Sequence, residues 1–129
     1  MAVGASTTVV NALLAAITNG TTFTTYTNPY VQLHTGNPGA NGTSNIAGES
    51  TRIQMTGTFV ISAGSTTNPV AVNWVSVTTA ETYTDVSLWS AASSGTFLAS
   101  GTITANAVAI GDNFSIPIGD LTISMPTAS

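Results

Sequence analysis

Residues 83–125 read YTDVSLWSAASSGTFLASGTITANAVAIGDNFSIPIGDLTISM, and the reading of this stretch decides the fold. Short runs of alternating character are separated by small polar turns. Phe97, Ala99, Gly101 and Ile103 fall on one side of a run and Thr96, Ser100 and Thr102 on the other. Phe114, Ile116 and Ile118 repeat the pattern, as do Leu121, Ile123 and Met125. A period of two is that of a strand with one buried and one wet face. The segments 91–95 (AASSG) and 111–113 (GDN) supply reversals, because Gly and Asn tolerate positive φ. Antiparallel β-structure follows.

Upstream, the pattern continues. Ile53, Met55, Gly57, Phe59 and Ile61 predict an inward face for a strand over 52–61, with a bend at Gly57. Val70, Val72 and Trp74 predict the next inward face, with Val75 and Val77 leaning to the other side. A short strand over 30–34 points Val31 and Leu33 inward and leaves Tyr30, Gln32 and His34 on the outer face. The one helix expected spans about 6–18, where Val9, Leu13 and Ile17 form an apolar stripe with Val10 and Leu14 beside it. Ser6 or Thr7 can cap it and Asn19-Gly20 can stop it. The whole chain, 1–129, therefore reads as an all-β domain, a β-sandwich or jelly-roll-like fold of roughly seven or eight strands with one N-terminal α-helix.

Composition narrows the function. Charged residues make up 5% of the 129, the net charge is −4, and Arg52 is the sole basic side chain. Neutralising a phosphate backbone takes several Lys or Arg, so nucleic acid is not an expected partner, and an anionic membrane surface is disfavoured for the same reason. No apolar run approaches the ~20 residues of a membrane span, and the first residues lack the basic head and long apolar segment of a secretory signal. With no cysteine there is neither a disulfide framework nor a thiolate metal site. A lone His34 is too few ligands for a metal, and no cofactor is expected. Like charges keep soluble surfaces apart, and here they are scarce. Such a surface is suited to lie against other protein.

Residues 35–50, TGNPGANGTSNIAGES, form the longest irregular stretch. Loops of this length are usually binding loops or are ordered by a partner. Its near-neutral character suits protein or a neutral glycan. Glu49 and Arg52 are close enough in sequence to pair at the loop's exit. The candidate interaction surface is accordingly Val10 and Leu14 on the helix, with His34, Asn37, Pro38, Asn41 and Arg52 around the loop. His34 itself reads as a surface or interface residue that holds the loop by hydrogen bonding. Ser, His and Asp are all present, but no G-x-S-x-G elbow accompanies them, and Asp112 and Asp120 sit in Gly-Asp turns. No catalytic residues are assigned. Trp74, Trp89 and Tyr83 would make either a sugar-stacking platform or, more in keeping with large aromatics on strands, a core.

Several segments in order resemble small virion proteins of tailed bacteriophages known as tail fibre proteins. Tyr30-Val31-Gln32-Leu33-His34-Thr35 followed by Pro38-Gly39 is similar to their "VYLALHTxxPG". Gly48 and Arg52 match the Gly and Arg of "GGxYARQ", with Ser50 where Tyr is usual. Trp74 to Val77 resembles "WGTVT", and residues 88–98 resemble "LWDAATGGNFL" with Ser90 in place of Asp. The ending "aGDtlxfxxGxLtvtl" is matched from Gly111-Asp112 through Gly119-Asp120-Leu121. The resemblance implies a structural, non-enzymatic component of a virion, in tail or capsid, made in the bacterial host cytoplasm. Its implied partners are copies of itself, three-fold symmetry included, and other virion proteins. The alternative is a lectin-like adhesion domain that binds a host surface glycan.

Overall fold

The computed structural model describes residues 4–128. The chain runs β1 (Gly4–Ala5), α1 (Thr7–Asn19), β2 (Tyr30–His34), β3 (Ile53–Gln54), β4 (Ser65–Thr67), β5 (Val72–Trp74), β6 (Glu81–Trp89), β7 (Phe97–Val108), β8 (Phe114–Ile116) and β9 (Thr122–Ser124). It is all-β with one N-terminal helix. Among the described residues nine strands occur rather than seven or eight, because β1, of two residues, and β4, of Ser and Thr, carry no apolar alternation.

The helix forms where its caps predict. Ser6 accepts a hydrogen bond from Val9 N–H at the start, and Gly20, at φ 65, closes the end in the left-handed region. Its 13 residues carry no charge, and Val9 is the one it buries.

Five strands make the main sheet in the order β1-β7-β6-β2-β3, every pair antiparallel. Val31 faces Leu88, which faces Ala99, and Leu33 faces Val86, so these side chains share one side of the sheet. Against that side lie two ribbons, β5–β8 and β4–β9, giving a sandwich whose second layer is split in two. Trp74 and Phe114 meet across the first ribbon with ring centroids 5.8 Å apart, and Tyr83 of β6 packs edge-on to Phe114 at 5.1 Å. Trp74 donates from its indole N–H to Thr51 O at 2.8 Å, which satisfies the one polar atom it buries.

Asn68, fully buried, joins the ribbons. Its amide nitrogen donates to Val70 O and Pro117 O at 2.8 and 2.9 Å, and its amide oxygen accepts from Leu121 N–H at 2.9 Å. Pro117 sits just past the end of β8, where a missing N–H costs no ladder bond.

Three expected alternations are broken. The strand anticipated over 52–61 ends at Gln54: Gly57 turns the chain at φ 99, and Val60 and Ile61 are exposed. Val75 is exposed but Val77 is buried, because Ser76 at φ 55 reverses the side on which the chain points. Its N–H is held by Asn113 Oδ1 at 2.8 Å, and Val77 N–H by Asp112 O at the same distance. Ile118 is likewise exposed, since the chain leaves the β8 ladder at Pro117.

The close packing of Trp74 and the lack of a protein partner for the buried Tyr83 hydroxyl lead to opposite expectations. Trp74→Ala costs about 3–5 kcal/mol of unfolding free energy, as large-to-small core changes do. Tyr83→Phe changes it by less than about 1 kcal/mol, because no protein hydrogen bond is lost. Urea denaturation of the two variants measures both, and a Trp74→Ala midpoint equal to that of the parent contradicts the packing.

Candidate functional site

The second side of the main sheet is where the sequence pattern and the structure part. In register, Tyr30 faces Trp89, Gln32 faces Ser87, and His34 faces Asp85. The same row continues onto β7 with Phe97, Ser100 and Thr102. These are the side chains a half-wet strand would expose, yet Gln32, His34, Asp85, Ser87 and Trp89 are all buried. The loop over 35–47 folds back across them. His34 is thus not a surface residue, although it does hold the loop as expected.

The bonds run in a fixed direction. His34 donates from Nδ1 to Ser44 O at 2.8 Å, because a carbonyl can only accept. Its Nε2 is then the acceptor and takes the Ser87 hydroxyl proton at 2.7 Å. The Ser87 oxygen in turn accepts the Trp89 indole N–H at 2.7 Å. Burial lowers the His34 pKa from 6.5; the Ser44 carbonyl and the nearby Asp85 charge raise it, and Arg52 lowers it, without reversing the direction. The imidazole therefore stays neutral at physiological pH, as the chain of donors requires.

Arg52 closes the layer on the far side. Its guanidinium carbon lies 4.0 Å over the centre of the Trp89 ring. It donates to Gln32 Oε1 at 3.2 Å, to Ala91 O at 3.0 Å and to Ser94 O at 2.7 Å, and so fixes the turn between β6 and β7. A stacked cation of this kind contributes roughly 0.5–2 kcal/mol. Glu49 is not its partner. That carboxylate accepts from the N–H and hydroxyl of Thr78, both at 3.3 Å, while Glu81 takes Gly48 N–H at 2.6 Å, and these two acids hold the loop's exit.

The loop itself is bound by its own chain. Asn37 Oδ1 accepts from Gly39 N–H at 2.8 Å, Asn45 donates from its amide to Asn37 O at 2.9 Å, and Ser44 N–H reaches Pro38 O at 2.9 Å. Gly42 sits at φ 72 with the Phe97 ring where a side chain would go, the nearest ring carbon 2.6 Å from the position of a Cβ. Pro38 is buried beneath this fold and is not part of an interaction surface.

Chemically, the structure brings Ser87, His34 and Asp85 together but in a form closed to catalysis. Ser87 is inaccessible, its oxygen is already shared with Trp89, and His34 Nδ1 is directed to a backbone carbonyl rather than to Asp85. The Asp85 carboxylate accepts from Thr84 at 2.6 Å. Among the described residues no three His, Asp or Glu side chains group to hold a metal. Trp74, Trp89 and Tyr83 are core and not a sugar platform.

The candidate surface residues that remain outside are uncharged. Val10 and Leu14 are 41% and 51% exposed, Ile17 beside them is 79% exposed, and Asn37 and Asn41 are exposed at the loop tip. Arg52 is half-buried and engaged. Ser87, Trp89 and Gln32 were missed as members of the layer; a Ser in the middle of an apolar strand was the available signal. Among the described residues no helix is long and apolar enough to cross a membrane.

The neutral imidazole makes stability depend on pH in a definite sense. Because the folded pKa is lowered, the full contribution of His34 is present above its ordinary value of 6.5 and is lost as pH falls from there toward the folded value. The thermal midpoint should fall between about pH 7 and pH 5, and His34→Gln should flatten that segment of the profile. An unchanged slope in the variant would assign the proton uptake elsewhere.

Residues 4–124 match the family model described as podophage GP4 fiber I protein gp80. No curated protein matches the sequence.

Proposed function

The chain belongs to the podophage GP4 fiber I protein gp80 family and is thus a phage fibre-type structural protein, a virion component, and from that premise we propose that it works by self-assembly within a tail fibre. The family's description favours the tail over a capsid decoration. Copies of the chain associate through neutral surface, in a closed ring for which three-fold symmetry fits, and other virion proteins are met the same way.

The observation that carries this reading is the helix. An uncharged helix that buries Val9 and leaves Val10, Leu14 and Ile17 in solvent has an apolar stripe at i, i+4 and i+7 with nothing of its own chain over it among the described residues. The one cation is spent inside the molecule, so ion pairing cannot organise the contact. Apolar burial and backbone hydrogen bonds are what such a surface offers. The exposed Asn37 and Asn41 at the loop tip are a second candidate contact. A glycan-binding role would have to be built from side chains other than Trp74, Trp89 and Tyr83, which lie in the core.

Light scattering of the purified protein tests this. An oligomer is expected whose mass is the same at low and high salt, because apolar burial is not screened as exposed charge pairs are. Leu14→Glu should yield folded monomers with an unchanged circular dichroism spectrum, the side chain being half in solvent already. A parent protein that is monomeric at all concentrations contradicts the reading.

A further inference from the structure

Two parts of this chain have strand chemistry and no strand partner. The first is the outer edge of β7. On that edge β1 pairs with Ala99 and Ser100, and among the described residues no strand pairs with residues 104–108 on the same side. Edges left open in this way normally carry Lys or Pro to prevent pairing. Here residues 86–111 contain no charge and no proline at all. The register with β6 also slips, so that Ile103, Thr104 and Ala105 all lie opposite Thr84, adding backbone groups without a β6 partner.

The space beside this edge is shaped. A groove of about 560 Å³ runs along Ala99 to Thr102 against the wall formed by residues 120–126, floored by Val86, Leu88 and Leu121. A second of about 470 Å³ continues along Ile103 to Asn106 against residues 114–117, with Phe114 and Ile116 in its lining. Asp120 lines both. The second follows the stretch of β7 that no described strand pairs on that side.

The second part is the link after the helix, Thr21-Thr22-Phe23-Thr24-Thr25-Tyr26-Thr27. Every residue is a β-branched or aromatic strand former, none is charged, and none is Gly or Pro. That is the composition of a segment that pairs edge to edge. Yet among the described residues it pairs in no strand, its residues are exposed apart from the half-buried Phe23, and the Phe23 and Tyr26 rings meet edge-on with centroids 6.4 Å apart.

We propose that residues 21–27 of one copy add as a strand to the β7 edge, residues 104–108, of a neighbouring copy. Five extended residues span roughly 17 Å, within the roughly 23 Å that the seven-residue link covers. Phe23 and Tyr26, three residues apart, fall on opposite faces of the added strand, so one ring turns to the groove lined by Phe114 and Ile116 and the other faces outward. Neither side brings a like charge to the other. Because donor and acceptor are different surfaces, the contact is head-to-tail, and it closes into a ring or continues as a filament according to its rotation. The proposal rests on the self-assembly reading above and names the strand that carries it.

The chain has no cysteine, which makes the test clean. Thr24→Cys and Thr104→Cys are made separately, mixed, and oxidised. A covalent dimer joining residue 24 of one copy to residue 104 of the other, mapped by mass spectrometry after proteolysis, is the expected result. Thr24→Pro, which removes a ladder donor from an unstructured link, should weaken association at least about tenfold with the circular dichroism of the fold unchanged. If the parent assembles but Thr24→Pro assembles equally and no 24–104 bridge forms, strand addition is overturned while self-assembly stands. If the parent is monomeric, both fall. A 24–104 bridge formed within one copy of the double variant, with none between mixed single variants, overturns the proposal in favour of an intramolecular strand.

Discussion

The Ser87 hydroxyl is the bond on which the rest of this structure depends. It gives its proton to His34 and accepts one from Trp89, and His34 passes its own to the Ser44 carbonyl. One oxygen thereby fixes the tautomer of the imidazole, the rotamer of the largest ring on β6, and the position of a loop far away in sequence. Were any link removed, a buried polar atom would be left without a partner, which costs more than the bond gains. The layer also explains why β2 and β6 are buried on both sides while the sheet remains antiparallel: the loop, not a second sheet, covers the polar side.

This layer shapes the outside of the molecule as well. Trp89 offers its face to Arg52, and Arg52 in turn braces the turn after β6. The sole cation of the chain is committed to internal architecture. Contacts of a fibre protein with such a surface must come from apolar side chains and unpaired backbone, and the helix stripe and the β7 edge are where both are found. The two surfaces lie on consecutive pieces of chain, since the link that follows the helix is the segment with strand chemistry to spare.

Much of the fold was legible because local rules dominated it. Ser6 and Gly20 fix the helix by capping alone, and the turns at 91–95 and 111–113 stand where Gly and Asn place them. The opposite was true of His34 and Gln32. A period of two states which residues share a side but not whether that side is wet, and the loop that dries it is remote in sequence. Pro38 behaves the same way, for a turn residue that composition would leave exposed lies under its own loop. Asn68 gives no local signal, for its amide joins two ribbons through partners that only the folded chain assembles. The second layer divides between β4 and β5 and between β8 and β9, where Pro69 and Pro117 bring no backbone N–H to a ladder.

A cryo-electron microscopy map of the intact virion, resolved well enough to trace this chain, tests the central claim most directly. The account predicts several copies in mutual contact within a tail-attached fibre, with the helix of residues 7–19 buried between them. Isolated copies on the capsid shell, with Val10, Leu14 and Ile17 facing solvent, would contradict it.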